Sequence, residues 1–252
     1  MAQPHIVVID YHKGNLSSVA RGLARAGARA EVSDDPAAIR AADGLVLPGV
    51  GSFYDAITFM HESGEDAALL DAVAAGAPLL GICLGLQLLF DRGDEGVPGD
   101  VPAAAPDAFG PRGAGLAPAA VFESDGARWV RGLGLLSGGC TRLDGSRLKV
   151  PHVGWDQVHL TPAGAESLLL YGFPEGANMY FTHSYAVADD ADAANVLART
   201  HYTRSFPCVV GRGNVFGCQF HPEKSSTRGL SISKNFVDIV DARRDAARAA
   251  AA

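Results

Sequence analysis

Short apolar runs alternate with helix-like segments along the first third of the chain. The β-branched run Ile6–Ile9 is typical of a buried parallel strand, and Ala30–Ser33 and Leu45–Leu47 are candidates for the second and third strands. Between the first two strands, apolar residues at spacings of three and four predict a helix from Leu16 to Gly27. This alternation predicts an α/β fold with a doubly wound, mostly parallel sheet flanked by helices.

The rest of the chain has weaker periodicity and one irregular stretch. Residues 97–131 contain many glycines and prolines, which predict a loop insertion, either a mobile excursion or a lid near the active site. We expect the tail 246–252 to fray. The length suits one α/β domain spanning 1–252. The other patterned segments are a helix over 55–75 broken near Gly64, candidate strands Leu168–Tyr171, Met179–Val187, Ala198–Tyr202 and Val215–Phe220, and a closing helix Ile232–Ala242.

The segment Pro78–Phe90, PLLGICLGLQLLF, combines an apolar run, a tight turn and a helical pattern. The run ends in Cys83, and glycines stand two residues before and two residues after it, at Gly81 and Gly85. This is the pattern of a nucleophile elbow, in which a reactive side chain lies on a sharp strand-to-helix turn. The partial positive charge at a helix N-terminus favours a thiolate, and free N–H groups there can receive an oxyanion. Cys83 is therefore the candidate nucleophile.

Two other interpretations of this segment compete with the elbow. A free cysteine is often a packed core residue and not a reactive one. The stretch Ala72–Phe90 carries no charge and is long enough to be considered as a membrane span. Because a proline, three glycines and a glutamine interrupt the apolar residues, a strand–turn–helix unit fits the stretch better.

Composition narrows the classes of function. The chain has 252 residues and a net charge of −7, which argues against a nucleic-acid partner. Its N-terminus lacks the basic segment of a signal peptide. The four cysteines show no CxxC spacing and the histidines no HxxxH pair, so we expect neither a metal site nor a disulfide framework. These features favour a reduced, cytoplasmic protein without a membrane segment.

A histidine and a glutamate near the C-terminus offer the partners that a cysteine nucleophile needs. His221 follows the apolar run Val215–Phe220, and Pro222 restricts it to an extended backbone. Such a histidine can act as the base, and Glu223 can hold its tautomer as the third group of a triad. A lone histidine at a strand end is more often structural, but Cys83 and Glu223 favour a catalytic role. The order Cys–His–Glu disfavours an α/β-hydrolase esterase, in which the acid precedes the histidine.

Two further segments are ambiguous. The loop 48–53 contains Gly49 and Gly51 after a strand, which is common in α/β folds, but beside an elbow its amides could complete an oxyanion hole. Trp155 lies between turn residues. Burial in the core is the usual explanation for a tryptophan, and an anchor at an interface is the alternative.

The motifs GICLGLQLLF and FHPEKS together resemble the class I (triad) glutamine amidotransferases, which hydrolyse glutamine to release ammonia. Four further stretches are similar to one branch of that family, the glutaminase subunits of imidazole glycerol phosphate synthases in histidine biosynthesis. They are IDYHKGNL at 9–16, LPGVGSF at 47–53, KVPHVGW at 149–155 and YFTHSY at 180–185. The resemblance covers nearly the whole chain except 97–131, and it implies a flavodoxin-like sheet.

The resemblance implies roles for the matching residues. Cys83 would attack the glutamine amide to form a thioester, His221 would transfer protons, and Glu223 would orient His221. The oxyanion would lie against the backbone amides of Leu84 and of Gly49, Val50 and Gly51. The amino-acid end of the substrate would be held by Gln87, His183, Ser184 and Tyr185. No metal or organic cofactor is implied.

The resemblance also implies a partner. In this family a (βα)₈-barrel cyclase subunit receives the ammonia through an internal channel and makes imidazole glycerol phosphate and AICAR, so we expect a heterodimer. The residues that match positions facing or responding to the cyclase are Asn15, Trp155, Tyr180 and Lys224. We also expect the Gly49–Gly51 peptide to adopt an unproductive orientation when the chain is alone.

The sequence departs from the family pattern at three places and leaves three other functions open. Asp156 stands where Asn is usual, Leu86 where Met is common, and the insertion 97–131 is absent from typical members. The other functions are a glutaminase that feeds a different acceptor, as in pyridoxal phosphate or anthranilate synthesis, a catalytically silent regulatory subunit, and a cysteine peptidase of similar fold. The four additional stretches argue against a different acceptor, and the intact triad argues against a silent subunit. The FHPEK sequence argues against a peptidase.

Overall fold

A computed structural model of the chain describes residues 2–12, 14–104, 113 and 115–251. The first half contains β1 (His5–Ile9), α1 (Leu16–Arg25), β2 (Arg29–Ser33), α2 (Pro36–Ala41), β3 (Gly44–Leu47), α3 (Phe53–Ser63), α4 (Glu65–Ala74), β4 (Leu79–Ile82), α5 (Leu84–Leu88) and β5 (Phe90–Gly93). The second half contains β6 (Val121–Ser124), β7 (Ala127–Arg131), β8 (Leu136–Arg142), β9 (His152–Leu160), α6 (Pro162–Ala165), β10 (Ala177–His183), β11 (Tyr185–Val187), β12 (Val196–His201), β13 (Ser205–Arg212), β14 (Val215–Cys218) and α7 (Ser226–Ala251).

The main sheet of the described residues has nine strands in the order β10–β9–β12–β13–β14–β4–β3–β1–β2. The strands β2, β1, β3, β4 and β14 pair in parallel. The remaining four strands join this parallel part through antiparallel ladders. The predicted doubly wound α/β fold is thereby confirmed. Because β4 is central, the residue that follows it lies at the carboxyl edge of the parallel strands, where such folds place ligands.

Alternating residues of the central strands enter two cores on opposite faces of the main sheet. Ile6 and Val8 pack in one core with Leu23 of α1 and Phe236 of α7. Val7 and Ile9 pack in the other, together with residues of α2, α3 and α4. Burial on both faces explains why these strands are continuous apolar runs with no polar alternation.

The prediction of an irregular segment over 97–131 is wrong at its C-terminal end. β6 and β7 form an antiparallel hairpin there and join a five-stranded sheet of order β11–β8–β5–β7–β6. The hairpin turn is Asp125–Gly126, and both residues have positive φ, 55° and 72°. Two consecutive positive φ values are those of a type I′ turn, which matches the twist of the flanking strands. Residues 105–112 and 114 of the predicted insertion lie outside the described part.

Three other local predictions also need correction. Leu168–Leu170 is a 3-10 helix and not part of a strand, with Leu169 and Leu170 buried and Leu168 exposed. The tail that we expected to fray continues α7 through Ala251, and Ala252 lies outside the described residues. The helix of the elbow ends before Phe90, which begins β5. No helix in the described ranges is both long and apolar enough to cross a membrane.

Candidate active site

Cys83 occupies a strained turn between β4 and α5. Its φ of 55° and ψ of −109° lie in a region that costs a non-glycine residue about 1–3 kcal/mol. The two flanking glycines are required by close backbone contacts. A Cβ on Gly81 would lie 2.6 Å from the carbonyl oxygen of Gly85, and a Cβ on Gly85 would lie 1.7 Å from that of Leu47. The predicted elbow is therefore held by backbone packing against β3.

Cys83 is 5% exposed, and its sulfur is within hydrogen-bonding distance of Thr182 and Gln219. It lies 3.8 Å from the carbonyl oxygen of Thr182, to which it can donate, and 3.7 Å from Nε2 of Gln219, which donates to the sulfur. The backbone N–H of Cys83 donates to the carbonyl of Cys218 over 2.8 Å. The sulfur thus has fixed neighbours on two strands, β10 and the end of β14.

His221 and Glu223 form a buried pair. Nδ1 of His221 lies 2.9 Å from Oε1 of Glu223, and each side chain is 5% exposed. Because a carboxylate only accepts, Nδ1 carries the proton and Nε2 is the basic nitrogen. Nε2 is buried and has no hydrogen-bond partner in the described part of the chain. Burial alone would lower the pKa of His221, but its interactions with Cys83 and Glu223 outweigh this effect and raise the pKa to about 9.

Hydrogen bonds connect the backbone of His221 to β10. Its N–H donates to the carbonyl of Tyr180 over 2.9 Å. Oγ of Ser225 donates to the carbonyl of His221 over 2.6 Å and accepts from the N–H of Tyr180 over 3.0 Å. The position of the catalytic-base candidate therefore depends on the position of Tyr180.

A cavity of about 200 Å³ opens beside the thiol. It brings together Cys83 and seven of the predicted substrate-binding residues, Val50, Gly51, Leu84, Gln87, His183, Ser184 and Tyr185. Gly49 does not line the cavity. It packs beneath the loop instead, where a Cβ would lie 2.0 Å from the hydroxyl of Tyr11 and 2.9 Å from Leu84. Gly51 has φ 108°, a conformation that favours glycine, and Val50 is 44% exposed.

One wall of the cavity is braced at the carbonyl of Tyr185. Nε2 of Gln87 donates to this oxygen over 2.8 Å and also to Oε1 of Gln219 over 3.2 Å. Nδ1 of His183 lies 2.8 Å from the same Tyr185 oxygen. Gln87 and His183 thus hold this wall in place, and their predicted role in binding the amino-acid end of the substrate stays a prediction.

Sequence reasoning missed Glu95, Thr182 and Gln219. Glu95 lines the cavity, and burial raises the pKa of its carboxyl to about 7, although an N–H bond from Phe53 opposes the shift. No sequence pattern marked Glu95, because only the return of the chain after β5 to the start of α3 places it there. Thr182 acts through its carbonyl, which sequence does not identify. Gln219 was visible two residues before His221, but nothing in its context indicated contact with the thiol.

Trp155 is 53% exposed on β9, so the interpretation as a core residue is wrong. It pairs with Tyr180 across the ladder, and the two rings meet edge to face with centroids 5.9 Å apart. Nζ of Lys224 lies 5.9 Å from the centroid of the same Tyr180 ring. Asn15 is exposed at the start of α1. Trp155, Tyr180 and Lys224 therefore form one surface group, called here the aromatic face, in which Trp155 and Lys224 are exposed and Tyr180 is half-buried.

Cys83 differs from the other three cysteines in that it borders the cavity. Among the residues described, no group of three or more histidine, cysteine or acidic side chains could hold a metal ion. All four cysteines are free and buried. Burial raises the pKa of Cys140 and of Cys208 and Cys218, so these thiols are inert core residues.

Comparison with known proteins gives consistent matches over almost the full chain. The family model for class-I glutamine amidotransferases matches residues 7–240. An imidazole glycerol phosphate synthase subunit HisH from Halalkalibacterium halodurans is 43% identical, with 93% of this chain and 95% of the relative covered. The subunit of the same name from Symbiobacterium thermophilum is 44% identical, with 93% and 94% covered.

Solved structures share the fold at low sequence identity. The crystal structure of a glutamine amidotransferase has a TM-score of 0.63 at 18% identity, with 93% of this chain and 98% of that chain covered. PurLQS from Thermotoga maritima has a TM-score of 0.61 at 16% identity, with 95% and 100% covered. At these identities the solved structures support the fold alone. The family model and the HisH relatives, at 43% and 44% identity, also support membership of the family. The chain belongs to the class-I glutamine amidotransferase family.

Proposed function

We propose that this chain is the glutaminase subunit of an imidazole glycerol phosphate synthase and that it releases ammonia from glutamine for a partner protein. The observation that carries the proposal is the buried His221–Glu223 pair behind an elbow cysteine that opens on a small cavity. The high identity to HisH subunits over nearly the full length supports this branch of the family over glutaminases that feed other acceptors.

The reaction follows from the polarity of the three groups. The Cys83 sulfur attacks the amide carbon of glutamine after its proton passes to Nε2 of His221, and the carbonyl π electrons move to the oxygen. The tetrahedral intermediate collapses to a thioester as the carbon–nitrogen bond breaks and His221 returns the proton to the departing nitrogen, which leaves as ammonia. Water then attacks the thioester with His221 as base, and glutamate and the free thiol result. Glu223 keeps Nδ1 protonated throughout.

The oxyanion of both tetrahedral intermediates would be held by backbone N–H groups. The candidates are Leu84 at the start of α5 and the loop of Gly49, Val50 and Gly51, which borders the cavity. Such a donor typically contributes about 2.7–4 kcal/mol to transition-state stabilisation. A loop that can turn its amides toward or away from the cavity would make this contribution conditional on the partner.

The α-ammonium and α-carboxylate of glutamine would lie at the far end of the cavity. Glu95 supplies a carboxylate in the lining, and an ammonium group beside it would favour its ionised form. The side chains and backbone of Gln87, His183, Ser184 and Tyr185 provide the remaining polar contacts. The small cavity suits a single amino acid and not a peptide, which argues against the peptidase alternative.

The partner would dock on the aromatic face. Trp155 is exposed, lies beside Tyr180 and Lys224, and has the size and polarity of an interface anchor. We propose that a (βα)₈-barrel cyclase subunit covers this face, forms a heterodimer with the chain and receives the ammonia. Asn15 would respond to the same partner. The four free, buried cysteines are compatible with a reducing compartment, and we propose the cytoplasm.

The test is the release of glutamate from glutamine by three samples: the chain alone, the chain with its cognate cyclase, and the chain with both the cyclase and the cyclase's nucleotide ligand. We expect appreciable turnover only when the partner is present. Cys83→Ala should abolish it, whereas Cys208→Ala, at a buried cysteine outside the cavity, should retain it.

Each outcome separates one part of the proposal. Equal turnover with and without the partner would support the glutaminase chemistry but refute the dependence on the partner. No turnover in any sample would favour a catalytically silent subunit. Turnover that survives Cys83→Ala would remove Cys83 as the nucleophile.

A further inference from the structure

A row of hydrogen bonds connects Asp156, beside the aromatic face, with the wall of the cavity. Oδ2 of Asp156 lies 2.5 Å from Nε2 of His152. Nδ1 of His152 lies 3.1 Å from Nε2 of His183, and Nδ1 of His183 lies 2.8 Å from the carbonyl oxygen of Tyr185. We call this row the histidine relay. It begins at a carboxylate that is 37% exposed and passes through His152, which is 1% exposed.

The groups at the two ends of the histidine relay, Asp156 and the Tyr185 carbonyl, determine how many protons the relay needs for every contact to be a hydrogen bond. The Tyr185 carbonyl only accepts, so a hydrogen bond at this contact requires a proton on Nδ1 of His183. Burial, followed by the neighbouring His152, lowers the pKa of His183 to about 3, so the ring is neutral and its Nε2 is an acceptor. Nδ1 of His152 must therefore donate to it. One more proton is then needed between Nε2 of His152 and Asp156, where two lone pairs would otherwise face each other.

The identity of residue 156 decides whether that last proton can be lost. The family resemblance gives Asn as the usual residue at this position. An asparagine amide would donate to Nε2 of His152 without any titratable proton, and the relay would point toward Tyr185 at every pH. Asp156 in this chain offers a carboxylate instead of an amide, and a carboxylate only accepts.

Loss of one proton reverses the direction of the bonds. Nε2 of His152 must then donate to the Asp156 carboxylate, and Nε2 of His183 must donate to Nδ1 of His152. Nδ1 of His183 is left without a proton and presents a lone pair to the Tyr185 oxygen. The balance is one proton released to solvent and two protons kept within the relay, with no other bond made or broken.

The other groups around the relay do not supply an alternative proton. His152 is stacked between the rings of Phe181 and Tyr202, with centroids 4.9 and 4.1 Å away. The hydroxyl of Tyr202 donates instead to the carbonyl of Lys149 over 2.7 Å. The charged or titratable groups that act on His183 from neighbouring elements are His221 and Arg204, and both lower its pKa.

We propose that Asp156 makes the histidine relay proton-dependent, so that loss of one proton removes the hydrogen bond from His183 to the Tyr185 carbonyl and weakens glutamine binding. Asp156 is thereby a positioning residue for the cavity wall. The effect on glutamine rests on the proposed glutaminase function, whereas the reversal of the relay does not. Burial lowers the pKa of His152, although the hydrogen bond with Asp156 opposes the shift.

The test that needs no catalysis is ¹⁵N NMR of the histidine side chains between about pH 5 and about pH 8, the range in which histidine protonation is accessible. We expect His183 of the unaltered chain to change from the Nδ1–H to the Nε2–H tautomer as the pH rises. Asp156→Asn should keep the Nδ1–H tautomer throughout. Glu166→Gln, at an exposed carboxylate outside the relay, should behave as the unaltered chain.

The second measurement is KM and kcat for glutamine in the complex with the partner over the same pH range. The ratio of KM between the unaltered chain and Asp156→Asn should rise about twofold to about tenfold with pH, as expected for one lost hydrogen bond, while the kcat ratio stays level. A single His183 tautomer in the unaltered chain at all pH values would overturn the relay, and this result does not depend on activity. A tautomer change with a level KM ratio would overturn its connection to glutamine binding.

Discussion

The backbone contact between the elbow and β3 makes Gly85→Ala a sharp test of the site. A Cβ at position 85 would lie 1.7 Å from the carbonyl oxygen of Leu47, whereas ordinary contact begins at 3.4 Å. The oxygen cannot move away easily, because Leu47 lies in β3, which is paired with β1 on one side and β4 on the other. The elbow itself must therefore shift, by about the missing 1.7 Å.

A shift of that size is large for a reacting atom. Misplacement by about 1 Å commonly costs about 10²-fold in rate, so Gly85→Ala should lower kcat at least about 100-fold, or raise the activation barrier by about 2.7 kcal/mol. The assay is glutaminase turnover in the presence of the partner, together with the rate at which a small alkylating reagent reacts with Cys83. Thermal unfolding of the same variant separates a displaced elbow from a chain that has lost its fold.

The matched control is Gly99→Ala. Among the residues that the structure describes, no atom lies within 4 Å of a Cβ built at Gly99, and the φ of Gly99 is not in the left-handed region. This variant should keep turnover within about twofold, since surface substitutions rarely exceed about 0.5 kcal/mol. A folded Gly85→Ala variant with turnover and alkylation close to those of Gly99→Ala would refute the reasoning that β3 holds the elbow.

Four further predictions concern charge and exposure. The pKa of His221 is raised from 6.5 to about 9, so its contribution to stability is complete below pH 6.5 and is lost as the pH rises through 9. The free energy of unfolding should therefore fall by about 3 kcal/mol over this range. Denaturant titrations that show no such fall would contradict the role of protonated His221. Glu223→Gln should lower kcat by about 10²- to about 10⁴-fold, because it removes the charge that stabilises protonated His221, and should flatten that pH dependence; turnover close to that of the unaltered chain would exclude the triad role. Glu95→Gln should raise KM about tenfold to about a hundredfold with little change in kcat, as for a lost bond to a charged group, and an unchanged KM would remove Glu95 from substrate binding. Trp155→Ala should raise the Kd for the partner about thirtyfold in calorimetric titrations, and an unchanged Kd would move the interface elsewhere.

The elbow was predictable from sequence because its geometry imposes residue types at fixed spacings. A strained Cys83 between Gly81 and Gly85 leaves little choice of side chain, and the apolar run before it defines the strand. His221 was predictable for a related reason, since Pro222 and Glu223 give it a distinctive local context. The parallel strands were equally clear, because burial on both faces makes each a continuous apolar run.

Some features could not be predicted because they depend on contacts between residues far apart in the sequence. Others had a local sequence pattern, but the surrounding residues indicated a different structure. Glu95 enters the cavity only because Tyr54 and Phe53 bond to it across the start of α3. The β6–β7 hairpin carried its own signal, the Asp125–Gly126 pair, but the density of glycine and proline before it suggested irregular structure. In Leu168–Tyr171 the apolar run suggested a strand, although its buried and exposed residues do not alternate.

The arrangement of the strands explains how an exposed surface can control a buried nucleophile. Cys83 is fixed by β4 and by the contact of Gly85 with β3, which are both in the interior of the sheet. His221 is fixed by Tyr180, which lies in β10 at the edge of the same sheet and carries the aromatic face. A partner docked on the aromatic face, as we propose, would act on the strand that fixes His221 through Tyr180 and that carries the Thr182 carbonyl beside the thiol. Control of this kind would need no movement of the elbow, because the elbow is held by strands in the interior of the sheet while His221 is held from its edge.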